Sequence, residues 1–245
     1  LHNTLFPYTT LFRSMKEVLD YYKPKIQNSQ ILKTLCNPVS NTVKHCDPLK
    51  PKKYFVVSVH REENVDNKEN LEKILKILNQ LAENYKLPII ISTHPRTRKR
   101  LEALDEQADS RQLTADSLLL FHKPFGFPDY IHLQQNSLST LSDSGTISEE
   151  SSILSFPAIS LRQSMERPEA QDSGTIILTG FDPEVVLQSI DTVIREHEKG
   201  TRYEYLPEDY KITNTSWRVL KLIIGNAGLS NLWYGIKKEQ QHQNI

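Results

Sequence analysis

Residues 54–93 read YFVVSVHREENVDNKENLEKILKILNQLAENYKLPIIIST, and this stretch decides the fold class. It opens with a β-branched and apolar run at 54–59, which is typical of a buried parallel strand. Apolar residues then recur from Leu71 to Tyr85 at helical spacing, after a start at Asp66 and Glu69 that resembles a capping box. A second apolar run follows at 88–93. Strand, helix and strand in this order predict a βαβ unit and a parallel sheet.

The same alternation continues outward along the chain. It predicts strands at 118–121, 138–142, 157–161 and 175–178, and helices at 96–104, 130–135, 146–154 and 183–198. We therefore predict an α/β fold with one doubly wound parallel sheet.

The chain divides into four predicted segments. Residues 1–13 fit neither a signal peptide nor a periodic element, and we interpret them as a non-native addition. A helix capped by Ser14 and a proline- and lysine-rich loop occupy residues 14–53. The α/β domain is predicted at 54–212, and a C-terminal helix with a polar tail at 213–245.

Composition bounds the classes of partner. Thirty Lys and Arg residues balance thirty Asp and Glu residues, so we expect no general attraction to nucleic acid or to an anionic membrane. No stretch approaches the roughly 20 apolar residues of a membrane span. Cys36 and Cys46 match no metal-ligand spacing and no disulfide scaffold. We expect a cytoplasmic protein with no metal and no cofactor.

Polar side chains cluster in four loops that follow predicted strands. Ligands of doubly wound sheets bind beyond the carboxyl ends of the strands, so all four loops would lie on one edge. They are residues 58–64 with His60 and Arg61, 93–96 with His94, 142–146 with Glu149 and Glu150 in the first helical turn beyond it, and 166–170 with Arg167.

The third loop carries the clearest chemistry. Ser144, Gly145 and Thr146 open a predicted helix, whose free N–H groups and positive dipole end suit a phosphate group. Because the dipole contributes only about 0.3–1 kcal/mol, a diphosphate needs further donors, and His60 and Arg167 are candidates. Glu150 is suited to accept hydrogen bonds from a ribose diol.

Each feature alone has a structural interpretation as well. Ser-Gly-Thr before a helix is a common cap and turn. His60 with Arg61 is also typical of a surface pair, and His94 before a proline is also typical of a turn. The acidic pairs Glu62–Glu63 and Glu149–Glu150 are also typical of solvated helix starts. It is their convergence on one edge that favours a binding site.

Three stretches resemble the non-hydrolysing UDP-N-acetylglucosamine 2-epimerase family. They are SVHREENVDN at 58–67, STHPRTRKRL at 92–101, and LSDSGTISEESSILSFPAISLRQSMERPEAQDSGT at 141–175. The spelling of 58–67 and of KPFGFPDYIHLQ at 123–134 is similar to the capsule and O-antigen branch that makes UDP-N-acetyl-L-fucosamine. The resemblance runs from about Ser14 to about Trp233.

The resemblance implies the second of two Rossmann-like domains that face each other as in B-type glycosyltransferases. It implies that Ser144, Gly145, Thr146 and Arg167 hold the diphosphate of UDP. Glu150 would bind the ribose, and Tyr130 would lie near the uracil. His60 would be the active-site histidine, and Arg61 and His94 would be further substrate-binding residues.

The implied reaction inverts C2 of a UDP-N-acetyl-hexosamine. UDP leaves as the C2 proton is removed, and it adds back to the glycal intermediate after reprotonation on the other face. The family takes its C2 acid and base carboxylates largely from the N-terminal domain. We therefore expect a truncated UDP-binding half that is inactive alone, and a homodimer for the full-length enzyme.

Two other functions remain open at the level of sequence. A glycosyltransferase donor-binding domain would transfer the sugar to an added acceptor without epimerising it. A non-catalytic UDP-sugar-binding module would bind the nucleotide without turnover.

Overall fold

A computed structural model of the protein describes residues 14–37, 47–61, 64, 66–92, 118–200, 206–233 and 235. The chain divides into two compact units. The larger unit spans residues 22–208, and the smaller one combines residues 1–21 with residues 209–245. The predicted domain boundaries stay predictions.

The larger unit is built on a six-stranded, fully parallel sheet. A separate antiparallel pair precedes it, β1 (Cys36–Asn37) with β2 (Asp47–Pro48). The strands of the main sheet are β3 (Phe55–Ser58), β4 (Ile89–Ser92), β5 (Leu119–His122), β6 (Ser139–Ser142), β7 (Ala158–Ser160) and β8 (Ile177–Leu178). Their order is β5-β4-β3-β6-β7-β8. This is the order of a Rossmann-like doubly wound sheet, so the predicted fold class is confirmed.

The α-helices fall into three groups along the chain. The first group is α1 (Met15–Gln27), α2 (Ile31–Thr34) and α3 (Lys68–Tyr85). The second is α4 (Phe127–Asn136), α5 (Ile147–Leu154), α6 (Pro168–Asp172) and α7 (Pro183–Lys199). The third is α8 (Thr215–Asn226) and α9 (Ser230–Trp233), and a 3₁₀ turn at Glu208–Lys211 precedes it. Among the described residues, no helix combines the length and the apolarity that crossing a membrane requires.

Successive side chains of a strand point to opposite sides, so each face of the sheet contributes to its own apolar cluster. Phe55 and Val57 of β3 join the apolar cluster that contains α3 and α7. Tyr54 and Val56 join the cluster on the other face with Leu133 of α4. The Tyr54 hydroxyl is buried, and it finds a partner inside the protein by donating to the Leu133 carbonyl at 2.8 Å.

Two details of α3 differ from the prediction. The residue that caps it is Asn67 rather than Asp66, because the Asn67 side chain accepts from the backbone N–H groups of Glu69 (2.9 Å) and Asn70 (3.2 Å). The buried stripe includes Ile77, whereas Leu75 of the predicted stripe is only half-buried.

Three other segments were missed by the prediction, differ from it or lie outside the described residues. The short helix α6 was not predicted, because its five residues are too few for a periodic pattern. The predicted loop between residues 37 and 53 contains β2, where the structure describes it. The predicted helix at 96–104 lies outside the described residues.

In the smaller unit, the start of α1 is fixed by Ser14. The Ser14 hydroxyl donates to the Ile212 carbonyl at 2.7 Å, and the Ser14 N–H donates to the Glu17 carboxylate at 2.9 Å. The predicted role of Ser14 as a helix-start residue agrees with this geometry.

Candidate functional site

The reversal of strand order lies between β3 and β6, which are neighbours in the sheet. In such sheets a crevice opens at this point, beyond the carboxyl ends of the strands. The loop after β3 carries His60 and Arg61, and the loop after β6 carries Asp143 to Thr146. The Asp143 N–H donates to the Ser58 carbonyl at 3.1 Å and continues the pairing into the crevice.

Asp143 ties these two loops together. Its fully buried carboxylate accepts hydrogen bonds from the backbone N–H groups of His60 (3.1 Å) and Arg61 (3.0 Å) and from the Asn64 amide (2.9 Å). Burial raises the pKa of Asp143, but the hydrogen bonds from His60, Arg61 and Asn64 together lower it by more, so the net pKa is below its ordinary value. The group is therefore an ionised anchor.

His60 lies on this anchor with half of its side chain exposed. Its Nδ1 atom is 3.1 Å from Oδ1 of Asp143, and 51% of the side chain is accessible. The hydrogen bond with Asp143 raises the pKa of His60, whereas burial and the charge of Arg61 lower it, and the net pKa is above the ordinary value. A histidine held in this way can present a cationic ring to an anion.

Gly145 lies in a space bounded by charged side chains. A Cβ atom at this position would be 2.7 Å from Oε2 of Glu166, 3.7 Å from Nη1 of Arg162 and 3.9 Å from Nη2 of Arg61. A real Cβ essentially never lies this close to another atom, so a larger residue here would require the half-exposed Glu166 carboxylate to move. The backbone turn thus faces two guanidinium groups.

Glu166 bridges the two arginines. Its Oε1 atom accepts from Nη2 of Arg162 at 2.6 Å and from Nη2 of Arg61 at 2.9 Å. The hydrogen bonds from Arg162 and then Arg61 lower the pKa of Glu166 to about 2. Because the Arg162 side chain is only 5% exposed, its charge needs such a partner. One anionic group therefore already occupies the space between two cations.

The hydroxyl groups of the turn are close to each other. Ser144 Oγ lies 2.9 Å from Thr146 Oγ1, and the Thr146 N–H donates to Ser144 Oγ at 3.3 Å. Thr146 is the N-cap residue of α5, and its side chain makes no cap hydrogen bond to this described helix. The first turn of α5 thus begins with two hydroxyls and without a side-chain cap, an arrangement that suits an anionic group.

Arg167 lies at the start of α6 and pairs with α5. Its Nε donates to Oε2 of Glu149 at 3.3 Å, and 41% of its side chain is exposed. The guanidinium atoms nearest to Gly145 belong to Arg162 and Arg61 instead. The predicted phosphate contact of Arg167 stays a prediction.

Behind the turn lies a second polar group, formed by α4 and α5. Nε2 of Gln134 donates to Oε2 of Glu150 at 3.1 Å, and both side chains are buried. Burial raises the pKa of Glu150, against the hydrogen bonds from Thr146 and Gln134 that lower it. Burial and then the Glu150 charge raise the pKa of Tyr130, which lies in the same group.

The predicted site residues thus fall into distinct places. His60, Arg61, Ser144, Gly145 and Thr146 meet at the reversal of strand order, and their roles stay predictions. Tyr130 and Glu150 lie in the polar group behind the turn, and Arg167 lies beside Glu149. His94 is outside the described residues, so its predicted contact is not located.

Four residues at this site were not among the predicted ones. Asp143 and Glu166 stood in the quoted loops, and the position of Asp143 directly after a strand was an available signal. Arg162 directly follows the predicted strand at 157–161 and offered the same signal, whereas Gln134 lies within a predicted helix and offered none. Among the described residues, no group of three or more His, Cys, Asp or Glu side chains is arranged to hold a metal ion.

Comparison with known proteins identifies the family of this chain. The sequence profile of the family described as UDP-N-acetylglucosamine 2-epimerase matches residues 14–224. The UDP-N-acetylglucosamine 2-epimerase of Methanococcus maripaludis is 33% identical over 175 residues, which are 70% of this chain and 45% of that protein. The enzyme of Methanocaldococcus jannaschii is 36% identical over 143 residues, or 58% of this chain and 38% of that protein.

Solved structures agree. The UDP-N-acetylglucosamine 2-epimerase from Rickettsia bellii is 39% identical with a TM-score of 0.75, and the match covers 91% of this chain and 54% of that one. The M. jannaschii enzyme in complex with UDP-GlcNAc and UDP is 27% identical with a TM-score of 0.66, covering 85% and 52%. The chain spans about half the length of these relatives. It belongs to the UDP-N-acetylglucosamine 2-epimerase family.

Proposed function

We propose that this chain forms the UDP-binding part of a non-hydrolysing UDP-N-acetyl-hexosamine 2-epimerase. One observation carries the proposal: the glycine turn at the start of α5 faces the guanidinium groups of Arg61 and Arg162 at the reversal of strand order. A family member solved with UDP-GlcNAc and UDP supports the choice of ligand. Because the chain spans about half of its relatives, epimerisation is proposed for the whole protein.

The diphosphate is proposed to lie over the turn of Ser144, Gly145 and Thr146. The helix dipole contributes about 0.3–1 kcal/mol there, whereas a hydrogen bond to a charged group contributes about 1.5–3 kcal/mol. Arg61 is therefore the main cationic contact in this proposal, with Arg167 as a further one. The ligand would replace Glu166 as the anion beside the guanidinium groups.

In the proposed reaction, the bond between C1 and the diphosphate oxygen breaks as the C2 proton is removed. The electron pair of the C2–H bond forms the C1–C2 double bond of a glycal, and UDP departs with the electrons of the C1–O bond. Proton return on the other face of C2 and re-addition of UDP give the epimer. His60, held by Asp143, would stabilise the charge on the departing diphosphate.

Finer features are part of the same proposal. We propose that the enzyme acts in the cytoplasm, in bacterial surface polysaccharide synthesis, on UDP-GlcNAc or on a 6-deoxy-L-sugar equivalent. We also propose that the full-length enzyme is a homodimer. The neutral charge balance gives no general attraction to a nucleic acid or an anionic membrane, so an anionic substrate would be held by local contacts.

Calorimetric titration of UDP into the 245-residue chain tests the proposal. Arg61→Met keeps the aliphatic stem and removes the guanidinium, and we expect it to weaken binding at least about tenfold, as for one lost charged hydrogen bond. Arg218→Met is the matched control, because Arg218 contacts Asn214 within its own helix and lies in the other unit. The control should bind like the parent.

Two results would contradict the proposal. A folded chain that does not bind UDP would refute nucleotide binding, and equal affinities for the parent and Arg61→Met would refute the proposed place of the diphosphate. Circular dichroism of each variant establishes that it is folded.

A further inference from the structure

Gln134 is a polar residue in an apolar place. It is 1% exposed on α4, between the fully buried Leu133 and the chain that leads to β6. Burial of an amide without full hydrogen bonding is destabilising, and an apolar side chain of equal size would avoid that cost. Packing alone therefore does not explain an amide at this position.

The amide makes one hydrogen bond and leaves one atom unpaired. Nε2 donates to Oε2 of Glu150 at 3.1 Å. In the part of the chain that the structure describes, Oε1 of Gln134 and the hydroxyl of Tyr130 are both buried and make no hydrogen bond of ordinary geometry, and the Tyr130 hydroxyl lies close to Gln134, Ser58 and Ser142. Buried polar atoms of native proteins are almost always well paired, so a polar group of this kind beside a buried carboxylate is not explained by core packing.

The position of this group joins it to the crevice. Tyr130 lies near Ser58 and Ser142, which are the last residues of β3 and β6. Glu150 lies in the first turn of α5, behind the glycine turn. The carboxylate keeps acceptor capacity after the bonds from Gln134 and Thr146, because two oxygens offer about four lone-pair sites.

We propose that Gln134 is a positioning residue for nucleotide recognition: its amide fixes the Glu150 carboxylate in the orientation that accepts hydrogen bonds from the ribose hydroxyls. This inference rests on the proposed function, because it needs UDP at this edge. Gln134 itself acts through Glu150 and does not touch the reacting atoms. Loss of the amide frees the carboxylate to turn, and the ribose hydroxyls lose a fixed acceptor.

The test compares the affinities for UDP and for 2′-deoxyuridine 5′-diphosphate by calorimetry, using the full chain. We expect the parent to prefer UDP by about tenfold, the equivalent of one hydrogen bond to a charged group. In Gln134→Met, which has nearly the same volume, the preference should fall to within about twofold. Gln135→Met is the matched control, since Gln135 is the adjacent residue and its recorded contact is made by the backbone carbonyl. It should keep the preference.

The ratio of affinities separates positioning from a purely structural role. A structural role would weaken both ligands equally in Gln134→Met and leave the ratio at the parental value, which would overturn the inference. A parent chain that binds both nucleotides equally would also overturn it, while leaving the proposed function intact. A parent chain that binds neither would refute the proposed function itself.

A second variant covers the case in which Gln134→Met does not fold. Gln134→Asn keeps an amide but shortens its reach by one methylene, so it should lose the bond to Glu150 and the preference for UDP. A preference retained by a folded Gln134→Asn chain would overturn the inference as well.

Discussion

The two polar regions at the carboxyl edge of the sheet are built in opposite ways. Around Asp143, the described contacts satisfy a buried carboxylate with backbone and side-chain donors from the neighbouring loop. Around Glu150, a buried carboxylate takes bonds from Gln134 and Thr146, and among the described residues Oε1 of Gln134 and the Tyr130 hydroxyl make no hydrogen bond of ordinary geometry. Within the described part of the chain, the first region is fully hydrogen-bonded and the second is not.

This difference separates support from recognition. A satisfied buried carboxylate holds two loops in one geometry, because any movement would leave donors unpaired in a place without water. An unsatisfied group costs free energy until a partner arrives, so it suits a ligand contact. Asp143 is thus expected to govern stability, and Glu150 with Gln134 to govern affinity.

The largest effect is expected for Asp143→Ala. The change leaves the N–H groups of His60 and Arg61 and the amide of Asn64 without their common acceptor. We expect the free energy of unfolding to fall by about 1–3 kcal/mol for each of these donors that stays buried without a partner, offset in part by removal of the buried charge. Urea denaturation measures it, with Asp172→Ala, an exposed residue, as the control. A loss no greater than that of the control would contradict the role of Asp143.

A middle-sized effect is expected for Gly145→Ala. The new Cβ would meet Oε2 of Glu166 at 2.7 Å. The carboxylate, which accepts hydrogen bonds from Arg61 and Arg162, must therefore move. We expect a stability loss of about 1 kcal/mol, at the low end for an inserted methyl group because the end of the half-exposed Glu166 side chain can shift, and weaker UDP binding. Thermal unfolding and calorimetry measure the two effects.

Gly126→Ala is the matched control for this change. A Cβ at Gly126 has nothing within 4 Å, so the substitution should leave UDP binding at the parental level. If Gly145→Ala behaves like this control in both measurements, the close approach of Glu166 does not matter for the site.

The smallest effect is the pH dependence of the pair His60 and Asp143. Since the hydrogen bond with Asp143 raises the pKa of His60, the stabilisation is fully present below the unfolded-state value of about 6.5 and is lost as pH rises through the folded-state pKa. The half-exposed ring limits it to less than about 1 kcal/mol.

The measurement is the difference in unfolding free energy between the parent and His60→Gln at several pH values. The difference should be larger at pH 5.5 than at pH 9, and it should lose this dependence in an Asp143→Asn background. A difference that stays constant or grows with pH would contradict the ion pair.

Much of the fold followed from local pattern. The continuous apolar run at 54–59 and the helical stripe from Leu71 to Tyr85 are visible within a few positions, so the sequence indicates each element directly. Shorter or irregular features did not follow: α6 has five residues, and the cap of α3 shifted by one residue to Asn67 because two residues with similar capping ability are adjacent.

The sequence by itself determined the alternation of strands and helices, the loops that carry polar groups, and through its motifs the family. Only the tertiary structure decided which of these groups meet. Arg61 and Glu166 are 105 residues apart, and His60 and Asp143 are 83 apart. Their contacts exist because β3 lies beside β6 in the sheet. Strand order depends on how separate apolar faces pack together, and no local periodicity encodes it.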